Sequence, residues 1–165
     1  MPGSEDLQAS TASEEPFPAG LVVLPGSAPR YAGPQGRDGD ITEVLISSHQ
    51  TAGAVGLFRQ FIEPGSGPAL HLHRTADEFF IIESGTFTFR IGERTQHIPP
   101  GSVLFVPRGT AHAFRNTGPE PGVLLVGFVP GGPEQMLVER VGVDAATSQD
   151  LMERYGTEIV GPPLA

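Results

Sequence analysis

The chain has 165 residues and a net charge of −9, with 19 acidic side chains against 10 basic ones. That length holds one domain with a substantial core and no second domain of ordinary size, and the acidic balance lacks the footprint that nucleic acid or anionic lipid requires. Cysteine is absent and every basic residue is arginine, which excludes disulfides, thiolate ligands and iron–sulfur clusters as well as lysine Schiff bases.

In chain order, residues 1–18 are Ser, Glu, Pro and Ala with few large apolar side chains, a composition too poor to bury, and a disordered tail is expected. A short apolar run comes next over 20–24, and the Gly/Pro/Arg-rich piece 26–40 reads as a long surface loop. Strands are expected over 41–47 and 54–62, then a turn at Glu63-Pro64-Gly65-Ser66-Gly67-Pro68 into a strand carrying His71 and His73. The run Glu78-Phe79-Phe80-Ile81-Ile82 is β-branched and aromatic enough for the next strand. Phe87, Phe89 and Ile91 alternate with Thr88 and Arg90 as a half-buried strand, with a turn at Gly92-Glu93. Apolar runs over 103–106 and 123–129 complete an all-β pattern that Pro130-Gly131-Gly132 ends. Beyond it, 133–141 and 147–155 carry helical spacing, with Thr147 and Asp150 as a capping box and Gly156 as a stop.

The chemistry concentrates in two stretches. His71 and His73 are two apart and point to one side of a strand, Glu78 opens the following strand, and His112 returns after a turn built on Pro107 and Gly109. Three inward imidazoles and a carboxylate without an ion would be buried polar groups with few partners, so a metal site is favoured over a barrel with empty, degenerate ligand positions. His49 and His97 fall outside the pattern and read as loop or surface residues. No P-loop and no GxSxG segment is present.

These stretches resemble the paired motifs of the cupin superfamily. Gly65, His71, His73, Glu78 and Gly85 match the first motif, and Gly101, Pro107, Gly109, His112 and Asn116 match the second. The C-terminal segment 156–165 more weakly resembles the extension of quercetin-dioxygenase-like single-domain cupins. The resemblance implies an antiparallel jelly-roll (double-stranded β-helix) barrel over 19–131, a helical extension over 132–165 packed on it, and a metal held by His71, His73, Glu78 and His112. The extension either covers an apolar face or edge of the sheet or closes the barrel mouth. The resemblance also implies a homodimer, with the apolar run 20–24 as a candidate strand for exchange or for pairing within its own chain.

The ligand set suits one divalent transition metal, iron, manganese, nickel, cobalt or zinc. A substrate with adjacent oxygens would chelate there and lose a proton, and in the dioxygenases this chain resembles, O2 then reacts and the ligand glutamate helps accept the proton, here Glu78. Phe80 and Ile82 share the face of Glu78, and Phe114 that of His112, so they are expected either to line a substrate pocket or to be ordinary core. An inward Arg59, Arg90 or Arg115 would favour an anion, and otherwise each is a solvated surface residue. The site admits three readings: a dioxygenase on an enolic, catecholic or flavonoid-like molecule; a non-oxidative isomerase, cyclase or decarboxylase; and a small-ligand-binding protein without turnover. Nucleic acid and membrane partners are not expected, and the signal-free N-terminal stretch together with the absence of cysteine makes the cytoplasm the expected location.

Overall fold

The computed structural model describes residues 20–33 and 37–165, so the tail expected over 1–18 lies outside the described residues. The strands are β1 (Arg30–Ala32), β2 (Ile41–Ile46), β3 (Gly56–Ile62), β4 (Ala69–His73), β5 (Asp77–Ser84), β6 (Phe87–Ile91), β7 (Arg94–Ile98), β8 (Val103–Val106), β9 (His112–Asn116), β10 (Gly122–Val129) and β11 (Thr157–Pro163). Helices α1 (Pro133–Glu139) and α2 (Ala145–Arg154) precede β11. All pairing is antiparallel, in one sheet ordered β1-β2-β3-β10-β5-β8 and a second ordered β11-β4-β9-β6-β7. This is the expected double-sheet jelly roll.

Alternation decides what lies between the sheets. Along β3 the inward residues are Phe58, Gln60 and Ile62, and Arg59 points out; along β6, Phe87 and Phe89 are almost wholly buried. With Phe80, Phe114, Leu124, Val126 and Phe128 they fill one core, each burial contributing about 1.5–3 kcal/mol before entropy is charged. Phe80 and Phe89 meet edge to face at 5.2 Å, and Phe89 and Phe114 lie 5.3 Å apart, inside the range where ring pairs add to simple burial. The turn into β4 passes close to β9: a Cβ on Gly67 would collide with the carbonyl oxygen of Phe114.

Four local expectations need correction. The apolar run 20–24 forms no strand and leaves Leu21, Val22 and Leu24 exposed. The loop read over 26–40 contains β1, an edge strand specified by backbone pairing with β2, Arg30 opposite Glu43, and not by any apolar alternation. Helix α2 begins earlier than the capping box at Thr147 suggested. Asp144 is its N-cap and accepts from the Thr147 backbone N–H at 2.7 Å, placing a carboxylate at the positive end of the helix. The chain turns at Gly156, whose φ is +70°, but the segment after it is an added strand and not part of a helical extension. Strand β11 pairs with β4, Thr157 opposite His73 and Ile159 opposite His71. Its two prolines and glycine kept it from reading as a strand, which an edge position tolerates.

Candidate metal centre

Strand β4 places His71 and His73 on the inner face, and its neighbour β9 sets His112 directly opposite His71. Glu78 arrives from the other sheet. The chain turns the corner at 74–76 and enters β5, which pairs with β10 and β8 and not with β4. Three imidazoles on one sheet therefore face one carboxylate on the other. One donor atom from each of the four residues lies within 4.8 Å of every other.

The outer nitrogen of each ring is tied down. His71 Nδ1–H donates to the Ala69 carbonyl at 2.8 Å and His112 Nδ1–H to the Thr110 carbonyl at 3.0 Å. His73 Nδ1 meets Thr157 Oγ1 at 2.9 Å, across the β4–β11 pair. A carbonyl can only accept, so those two hydrogen bonds fix the tautomer and turn the Nε2 lone pairs of His71 and His112 inward. His112 Nε2 then sits 2.6 Å from Glu78 Oε2, and His73 Nε2, 3.2 Å from the same oxygen, is buried with no hydrogen-bond partner among the described residues. Two lone pairs against a carboxylate repel. The arrangement is satisfied either by a proton on the ring or by a cation among the donors, and an orphaned buried nitrogen beside a carboxylate is what a metal ion would complete.

Ionisation at His71 and Glu78 fits a cation site, while at His112 a proton competes with the cation. Burial pushes the His71 imidazolium down, to about 3, with the neighbouring positive charges of His112 and His73 acting in the same direction, so this ring stays neutral and able to ligate. Burial by itself would raise the Glu78 carboxyl, but the charges of His73 and His112 and the short contact with His112 outweigh it and hold Glu78 well below the usual carboxylate range. Burial also disfavours the charged His112, and the Glu78 carboxylate overrides it to raise that pKa. The donor set of three nitrogens and one oxygen suits a borderline divalent ion.

His71, His73 and Glu78 open into a cavity of about 310 Å³, with His112 buried behind them. Phe58, Phe114, Phe128, Met136, Leu137 and Met152 give it an apolar wall. Phe114 lies both in the core and along the cavity wall. Phe80 and Ile82 also point inward, each 1 % exposed and packed into the core outside the cavity lining. The aromatic side chains of β6 and β9 close over that depth of the barrel. Residues from α1, α2 and β11 line the cavity, while β11 also covers the β4 edge, so the extension is at once edge cover and cavity wall.

Arg59, Arg90 and Arg115 do not enter the cavity. Arg59 pairs with Glu43 and Glu83, Arg90 bonds the Gly92 carbonyl and Arg115 the Leu164 carbonyl. Arg37 and Arg140 line it instead. Neither was legible, because one lies in a Gly/Pro-rich stretch and the other ends a short helix, and no periodicity says what either element packs against. Thr157 was missed for the same reason. His49 and His97 are exposed, away from the centre.

Comparison with known families matches residues 58–128 to the cupin domain. Among curated proteins, SchB of Streptomyces halstedii is 29% identical over 99 residues, 59% of this chain and 70% of that protein. A predicted oxalate decarboxylase of Thermotoga maritima superposes with a TM-score of 0.60 at 24% identity, over 67% of this chain and 99% of that one. A sugar phosphate isomerase of the cupin superfamily from Silicibacter pomeroyi gives 0.54 at 26% identity, over 62% and 71%. With the motif residues gathered at one point between two antiparallel sheets, residues 58–128 of this chain carry a cupin domain.

Proposed function

We propose that this cupin is a metal-dependent dioxygenase acting on an enolic, catecholic or flavonoid-like small molecule. The observation that carries the reading is the convergence of His71, His73, Glu78 and His112, each donor within 4.8 Å of the others, with the outer nitrogens of all three rings already engaged. A divalent ion held there, iron, manganese, nickel, cobalt or zinc, supplies a Lewis acid that lowers the proton affinity of a chelating hydroxyl. Glu78, which lines the cavity, is the carboxylate placed to accept that proton. The hydrogen bonds to Ala69, Thr157 and Thr110 hold the rings still during the transfer. Phe114, with Phe58 and Phe128, packs against the apolar part of the substrate and keeps water from the reacting anion. The chain acts as a homodimer in the cytoplasm, a placement in keeping with its cysteine-free composition.

The 26% identity to a sugar phosphate isomerase favours a second reading, in which Glu78 returns the proton to a neighbouring carbon and no O2 is consumed. An oxygen electrode separates the two. Protein reconstituted with each first-row divalent ion is screened against enols and catechols, and metal-dependent O2 uptake is expected. Conversion of substrate without uptake would replace the dioxygenase by the isomerase.

A further inference from the structure

Resting on the metal-site reading above, we infer that the substrate is a carboxylate, and that Arg37 and Arg140 form the end of the cavity that binds it. The Arg37 side chain is 10% exposed. Its Nε donates to Asp40 Oδ2 at 2.7 Å, but its Nη2 is buried without a hydrogen-bond partner among the described residues. Asp40 has little left to give: Oδ1 accepts from the Glu63 backbone N–H and Oδ2 also accepts from Ser66 Oγ. An unsatisfied guanidinium N–H in a buried cavity carries a desolvation cost that a ligand oxygen would remove.

Arg140 lines the same cavity. Its Nε donates to Ser148 Oγ at 2.7 Å, and no carboxylate stands within ion-pair distance of it among the described residues. Burial lowers its pKa, and the positive charge of Arg37 lowers it further, so the two cations sense each other across the cavity. Of the other eight arginines, Arg30, Arg59, Arg74, Arg90, Arg108 and Arg154 face a Glu or Asp, Arg115 donates to the Leu164 carbonyl and Arg94 is exposed. At this end of the cavity, with Arg37 balanced by Asp40, Arg140 supplies one positive charge, which matches a monoanionic carboxylate better than a dianionic phosphate. The planar fork of arginine suits two carboxylate oxygens. The Arg37 guanidinium lies 5.7 Å from the centre of the Phe114 ring, and Phe114 is two residues from His112 on β9, about 7 Å of strand. A small ring or short chain therefore reaches from the metal ligands to the guanidinium.

Calorimetric titration with 3,4-dihydroxybenzoate and its methyl ester tests the assignment, since both carry a chelating catechol and only the first an anion. The titrations use metal-free and zinc-loaded protein. The acid is expected to bind at least about tenfold tighter than the ester, and Arg37→Gln and Arg140→Gln are each expected to bring the two probes to near equality, with zinc stoichiometry and ester affinity unchanged. Should Arg37→Gln fail to fold, as a thermal melt would reveal, Arg140→Gln decides by itself. Equal binding of the two probes by the unmodified protein, no binding of either, a preference that survives both substitutions, or displacement of the acid by millimolar inorganic phosphate would overturn the inference. If zinc is not bound while the acid preference persists and depends on the arginines, the carboxylate end stands and the metal reading falls; stoichiometric zinc without acid preference gives the reverse.

Discussion

At the residue scale, one oxygen carries two demands. Glu78 Oε2 is approached by both His73 and His112 Nε2, so the carboxylate is placed to ligate and also to take a proton. Glu78→Gln keeps an oxygen donor but loses the basic charge; we expect metal retained by elemental analysis and turnover reduced by about 10²–10⁴-fold. Undiminished turnover would remove the proton-accepting role. Thr157 offers a second test, because its hydroxyl is the partner of His73 Nδ1. Thr157→Val leaves the packing volume nearly unchanged and frees the ring, and a loss of metal affinity of about 10–100-fold is expected from chelator competition.

At the element scale, charge ties the strands of the larger sheet together on its outer side. Glu43 on β2 accepts from Arg30 on β1 at 3.0 Å and from Arg59 on β3 at 2.8 Å, and Arg59 continues to Glu83 on β5. Burial by itself would raise the Glu43 carboxyl, but the hydrogen bonds from Arg59 and Arg30 and their charges hold it below its ordinary 4.5. A depressed folded pKa means the unfolded chain binds the proton first. The stabilisation is therefore complete above that ordinary value and is lost as pH falls through the lower, folded one. Glu43→Gln is expected to cost about 1 kcal/mol at neutral pH, the arginines being partly exposed, and to narrow its gap from the unmodified protein in acid. Urea midpoints at neutral pH and near the acid end of the folded range measure both.

At the scale of the whole molecule, the four candidate ligands bridge two sheets that otherwise meet chiefly through apolar packing, so an ion held by them would bind the folded chain and not the unfolded one. Such an ion in about hundredfold excess over its dissociation constant adds about 2.7 kcal/mol, which for a chain of this size raises Tm by about 5–10 °C. Calorimetry with and without a chelator is expected to show that shift, and His112→Ala is expected to show none and to bind no metal stoichiometrically. A shift of equal size in His112→Ala would place the stabilising ion elsewhere.

Much of the architecture is encoded locally. Period-two alternation assigned Phe87 and Phe89 to the interior and set His71 and His73 on one face, because a strand's side-chain direction follows from parity alone, while the jelly roll was what the resemblance of the two motifs to cupins implied. What parity leaves open is depth and company. Phe80 and Phe114 both face inward, yet only Phe114 reaches the cavity, since the difference depends on which rings from the opposite sheet close over each. Arg37, Arg140 and Thr157 join the site from segments remote in sequence, and β11 became a strand despite its prolines because β4 offered an open edge. The candidate ligands His71, His73, Glu78 and His112 were thus determined by the sequence itself; the wall around them, the partner of His73 and the place of Arg37 and Arg140 in that wall were decided only when the two sheets and the extension packed, because each depends on a contact between residues the chain holds far apart.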